Sequence, residues 1–136
     1  MSPKLHHVGL SVADLDAAVE WYGRALSYEV AFRGETPTMR VTMGALSGGG
    51  GLELLERRDS ATGAQGLQPD QALLTRGWGH IALDVEDIDA TYAHLIAAGA
   101  GAVWPPRQSP EPGVSMAFVH DPEGNLIELV SRDGGR

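Results

Sequence analysis

Along residues 5–12, LHHVGLSV, apolar and polar positions alternate so that Val8, Leu10 and Val12 share one face of a predicted strand and His7, Gly9 and Ser11 share the other. Residues 80–85 repeat the pattern, with Ile81, Leu83 and Val85 opposite His80, Ala82 and Asp84. After each strand comes an aspartate suited to cap a helix (Asp14 or Asp16; Asp87 or Asp89), then a helix-length run. These runs predict helices over 15–27 and 88–98, the second stopped by Gly99 and Gly101. Shorter strand-like pieces follow at 28–33, 38–46 and 51–57, and again at 102–104, 114–119 and 125–131. Gly48 to Gly51 and the DPEGN of 121–125 are the turns into the last strand of each set.

The two sets are copies. A shift of 73 positions takes His7 to His80, Leu10 to Leu83, Val12 to Val85 and Asp14 to Asp87. The expected fold is therefore α+β: one domain of two βαβββ modules, 4–57 and 78–131, with helices on one face of the strands. Residues 58–77, polar and bearing Gly and Pro, read as a linker with one helical turn, and the tail RDGGR of 132–136 as frayed. PPRQSPEPG, 105–113, reads as a loop between strands or a lid.

A second coincidence lies in the closing strands. GLELLE sets Glu53 between Leu52 and Leu54, and NLIELV sets Glu128 between Ile127 and Leu129. Glu53 follows His7 by 46 positions and Glu128 follows His80 by 48. By parity all four side chains fall on the face away from the helices. One histidine or glutamate between apolar strand residues is ordinarily the solvent side of an alternation. Four in register are a set suited to one divalent ion: two carboxylates offset its charge, and two imidazoles favour a transition metal over calcium or magnesium. A pseudo-twofold relation between the modules would bring both pairs to one place, with open positions for water or a chelating substrate.

Length and charge narrow the partners. A chain of 136 residues can bury the core of an ordinary domain, and the absence of cysteine excludes disulfides and thiolate metal sites. A formal net charge of −8, spread along the chain, opposes binding to nucleic acid. No apolar run reaches membrane-spanning length and no secretory leader pattern opens the chain, so the expectation is a cytoplasmic protein without a membrane partner.

HVGLSVADLDAAVEWY, LELLE, GHIALDVEDID and HDPEGNLIELV resemble the vicinal-oxygen-chelate superfamily over nearly the whole chain. That superfamily includes lactoylglutathione lyases, methylmalonyl-CoA epimerases, fosfomycin-modifying thiol transferases, extradiol dioxygenases and bleomycin-binding proteins. The resemblance implies a cup-shaped mixed sheet around a divalent transition metal (nickel, cobalt, zinc, manganese or iron) held by His7, Glu53, His80 and Glu128. It also implies a homodimer, with the cup completed across it in many short members. It further implies a small oxygen-chelating substrate, and proton transfer beside a carbonyl with Glu128 or Glu53 as the base. That is lyase or isomerase chemistry of the glyoxalase type. A dioxygenase, a thiol transferase and a drug-binding resistance protein remain alternatives. Where glyoxalase I has an arginine and an asparagine for glutathione, the corresponding stretches here are HVGLSV and ELLER.

Other residues carry weaker expectations. His6 has the parity of Val8 and reads as a core or edge residue, His94 as a surface or packing residue, and His120 as a loop residue. Trp78, Trp104, Met39, Met43, Met116 and Phe118 are candidates for an apolar pocket beside the ion. Arg33, Arg40 and Arg107 are candidates to pair with a substrate anion.

Overall fold

The computed structural model describes residues 1–133, so the last three positions of the tail expected to fray lie outside the described residues. The chain divides into two compact units, Met1–Thr62 and a second that begins at Gly63, so residues 58–77 are shared between them.

In the first unit, β1 (His7–Ser11) leads through α1 (Leu15–Leu26) to β2 (Glu29–Glu35), β3 (Met39–Ala45) and β4 (Gly51–Arg57). The sheet order is β1-β4-β3-β2, with β1 parallel to β4 and the other pairs antiparallel. The second unit opens with one helical turn, α2 (Pro69–Ala72). It continues through β5 (Ile81–Asp84), α3 (Ile88–Ala97), β6 (Gly101–Gln108), β7 (Val114–His120) and β8 (Leu126–Arg132). Its order, β5-β8-β7-β6, reproduces the first, again with only the outer pair β5 and β8 parallel. The expected pair of βαβββ modules is present, and both sheets are four-stranded and mixed.

Local chemistry starts the helices where the sequence places them. The first aspartate of each pair is the cap: Asp14 accepts from the Ala17 amide and Asp87 from the Ala90 amide, each at 3.0 Å. The two helices end differently. Gly99 takes the left-handed conformation after α3, whereas after α1 the same conformation falls to a serine, Ser27.

Each helix packs on one face of its sheet. Under α1 lie Leu52 and Leu54, with Trp21 and Tyr22 buried from the helix side and set edge to face. The Tyr28 hydroxyl donates to the Leu52 carbonyl and accepts from the Thr42 hydroxyl, both at 3.0 Å, so this core holds a satisfied polar pair. In the second unit Leu95 of α3, Ala117, Val119, Ile127 and Leu129 are almost wholly buried.

One ion-paired group ties α1 to its sheet. Glu56 accepts from the Leu15 amide at the first turn of α1 at 2.7 Å and from the Arg40 guanidinium at 3.1 Å, while Arg40 also reaches Asp16 on the helix. The Arg40 guanidinium, helped by the Leu15 amide, holds the Glu56 carboxyl below its ordinary value. Arg40 is thus occupied on the helix side, and Arg33, opposite Thr42, shares that face, which removes both from the expected anion-binding role.

The Pro-rich stretch is not a lid. Strand β6 continues through Pro105 and Pro106 to Gln108, with irregular pairing between Trp104 and Arg107. Because β6 is an edge strand, prolines there need break no ladder. The turn beyond it is pinned by Gln108, whose amide donates to the carbonyls of Ser109, Glu111 and Val114.

Candidate metal centre

Register settles which face each candidate occupies. In the first unit Gly9 and Met43 flank Glu53 on β1 and β3, and His7 stands opposite Gly51, so His7 and Glu53 share the face away from α1. Their nearest polar atoms, His7 Nε2 and Glu53 Oε1, are 3.7 Å apart. In the second unit Ala82 and Phe118 flank Glu128, and His80 leads into β5, with His80 Nε2 3.3 Å from Glu128 Oε2. All four side chains are part-exposed, between 19% and 37% of their full area. The parity expectation therefore holds in both units: a histidine and a glutamate meet on each open face.

Small residues make the room. A side chain at Gly51 would run into the His6 carbonyl and the His7 Cβ, so glycine lets β1 pair closely with β4 at the point where His7 leaves the strand. A Cβ at Gly9 would stand 3.4 Å from Glu53 Oε1, so its absence keeps the space beside the carboxylate open. Sequence alternation alone did not single out these glycines, although each lies on the strand positions that face the pair.

The two histidines are steadied differently. The His7 ring sits edge to face with His6, their Nδ1 atoms 2.8 Å apart. His6 is exposed and precedes β1, an outer strand of its sheet, so of the core and edge readings the core one is corrected: outside the strand, parity no longer fixes its direction. The His80 ring stands edge-on to Phe118, 5.3 Å between centroids, and Phe118 is in turn edge-on to Trp104 at 5.4 Å. The Arg107 guanidinium lies 3.6 Å over the Trp104 ring, so of the three arginines singled out Arg107 is the one beside the open face. Met39, Met43 and Met116 share the open faces by register, whereas Trp78 is fully exposed. His120 is turned to the chain before α2, its Nε2 2.8 Å from the Leu67 carbonyl.

The donor set fits a divalent transition metal. Nitrogen and oxygen ligands about 2.1 Å from such an ion stand roughly 3.0 Å apart on adjacent octahedral corners and roughly 3.4 Å apart on tetrahedral ones. The 3.3 Å separation lies between these two spacings, while 3.7 Å exceeds the tetrahedral one by about 0.3 Å and the octahedral one by about 0.7 Å. Within either unit no third His, Cys, Asp or Glu joins the pair among the described residues, so each sheet offers two donors.

Comparison with known proteins places the fold in a family. Residues 4–129 match the sequence model of the glyoxalase/bleomycin resistance protein/dioxygenase superfamily. The chain belongs to that superfamily. The probable lactoylglutathione lyase of Vibrio cholerae serotype O1 is 30% identical over 132 residues, covering 93% of this chain and 89% of that protein. The lactoylglutathione lyase of Escherichia coli O157:H7 is 30% identical over 135 residues, covering 98% and 96%. Among solved structures, the glyoxalase family protein of Enterococcus faecalis is 26% identical with a TM-score of 0.76, covering 93% of this chain and 96% of that one. A glyoxalase/bleomycin resistance protein/dioxygenase domain from Frankia sp. EAN1pec shares the fold with a TM-score of 0.81 at 24% identity, covering 100% and 96%. Among the described residues no helix is long and apolar enough to cross a membrane.

Proposed function

We propose that this protein is a divalent-metal-dependent lyase or isomerase of the glyoxalase type, acting on a small oxygen-chelating substrate by proton transfer beside a carbonyl. The observation that carries the reading is the recurrence of one His/Glu pair on the open face of both sheets, the polar atoms 3.7 and 3.3 Å apart. Lactoylglutathione lyases among the relatives support the reaction class. Under this reading His7, Glu53, His80 and Glu128 together hold one ion, and the chain works as a homodimer.

The bound ion would supply Lewis acidity, stabilising negative charge that develops on a substrate oxygen. The protein's own part is to hold the donors and to move the proton. Glu128 and Glu53 are the candidates for the base, since each is a part-exposed carboxylate on an open face. Glu53 has free space on the Gly9 side. Phe118 and Trp104 give the Glu128 side an apolar wall, which disfavours water beside the reacting carbon.

Elemental analysis of protein purified without tag or chelator, together with its mass in solution, tests the proposal. About one nickel, cobalt, zinc or manganese ion per chain, with turnover of a hemithioacetal or a carbonyl-activated epimer, is the expected result. Iron with oxygen uptake would replace it with a dioxygenase. Failure to take up metal after reconstitution, with stoichiometric drug binding and no turnover, would replace it with a sequestering protein.

A further inference from the structure

His6 and His7 are adjacent in sequence, yet their rings meet through equivalent nitrogens, Nδ1 to Nδ1 at 2.8 Å. At that distance one nitrogen carries the proton and the other accepts it. The direction of this bond matters to His7, because a neutral imidazole protonated on Nδ1 keeps its lone pair on Nε2, and the reverse tautomer does not. Nε2 is the atom that His7 turns toward Glu53. At 3.7 Å the Glu53 carboxylate makes no hydrogen bond that would hold a proton on Nε2. The ring of His6 is within hydrogen-bond distance of His7 Nδ1 and is the contact by which the tautomer can be held.

We infer that His6 is a positioning residue: it accepts the Nδ1 proton of His7 and so holds the Nε2 lone pair of His7 toward Glu53, ready for a metal. The inference deepens the metal-dependent reading and rests on it for its consequence, though not for its geometry. The second unit lacks this device. Gly79 stands where His6 stands and brings no ring, and His80 is oriented by its edge contact with Phe118 instead. The two halves of the repeat therefore prepare equivalent ligands by unlike means, one by a hydrogen bond that fixes the tautomer and one by apolar packing that fixes only the ring plane. Partners of this kind, donating to or accepting from the far nitrogen of a metal-binding histidine, typically change metal affinity 10- to 100-fold, about the scale expected here. Gly51 belongs to the same device, because a side chain there would displace the His6 carbonyl and the His7 Cβ.

The test compares wild type with His6→Asn and His6→Phe. Asparagine returns an acceptor oxygen close to the place of Nδ1, and phenylalanine keeps the ring without an acceptor. His6 is exposed, so both variants should fold as wild type does. The first readout is the tautomer of His7 in metal-free protein, from nitrogen-15 NMR of labelled histidine at a pH where the ring is neutral. His7 should be protonated on Nδ1 in wild type and in His6→Asn, and should revert to the Nε2-protonated form common in free histidine in His6→Phe. The second readout is zinc affinity by chelator competition, expected to fall roughly 10- to 100-fold in His6→Phe and to stay within about threefold in His6→Asn. An Nε2-protonated His7 in wild type, or an unchanged tautomer in His6→Phe, overturns the inference. If wild type binds no zinc, the functional reading fails on its own, and the tautomer still decides the role of His6.

Discussion

If Glu53 and Glu128 serve one ion, removing either should empty the same site. Glu53→Gln and Glu128→Gln keep side-chain length and volume while removing a charge and a strong ligand. Both residues face away from the buried cores, so each substitution should move stability by no more than about 0.5 kcal/mol. Metal affinity should respond far more. Losing a partner outside the ligand set already costs 10- to 100-fold, so losing a ligand should cost at least about 100-fold, or about 2.8 kcal/mol. The separations of 3.3 and 3.7 Å give each sheet two donors, too few to hold an ion tightly alone. Once one carboxylate is gone the site is already crippled, and the second substitution should cost less than the first. A double-mutant cycle should then show coupling of about 0.5–3 kcal/mol. The assay is competition against a chromophoric chelator, with bound metal counted by elemental analysis and folding checked by urea titration. Each single variant should lose nearly all its metal. If each instead lost half of a two-ion complement, additively, the sharing of one ion would be refuted; if both kept full affinity, neither carboxylate would be a ligand.

Two further outcomes follow from the first unit. The depressed Glu56 carboxyl contributes stability that is complete above the ordinary carboxylate range, near about pH 4.3, and is lost as pH falls through its lower folded value. In urea titrations Glu56→Gln should be less stable than wild type at neutral pH by about 1 kcal/mol, with the gap closing under acid; a gap that widened as pH fell would contradict the assigned role. Tyr28→Phe removes the donor to the Leu52 carbonyl and the acceptor for Thr42, and should cost about 1–3 kcal/mol in thermal or chemical unfolding; an unchanged midpoint would mean that the buried pair adds nothing.

Much of this protein was legible in its sequence because period-2 alternation and capping are local. Val8 and Leu10, then Ile81 and Leu83, fix the parity of their strands, and that parity placed His7, His80, Glu53 and Glu128 on open faces before any register was known. Asp14 and Asp87 mark the helix starts because a capping oxygen must lie beside the first free amides. The repeat carried the rest of the architecture, since one module's elements predict the other's.

What only the tertiary structure decided are the relations between residues far apart in sequence or outside regular strands. Arg40 looked available for a ligand until β3 paired with β4 and set it against Glu56. Pro105 and Pro106 looked like a loop, because nothing local shows that β6 lies at a sheet edge where a missing amide is tolerated. The parity of His6 with Val8 left a core and an edge reading open, and the core one fails because His6 lies one residue before the strand, where its ring turns to meet His7. Parity is a property of the covalent chain and survives any packing; the choice of partner is made by the sheet, and the sequence records it only after folding has brought the strands together.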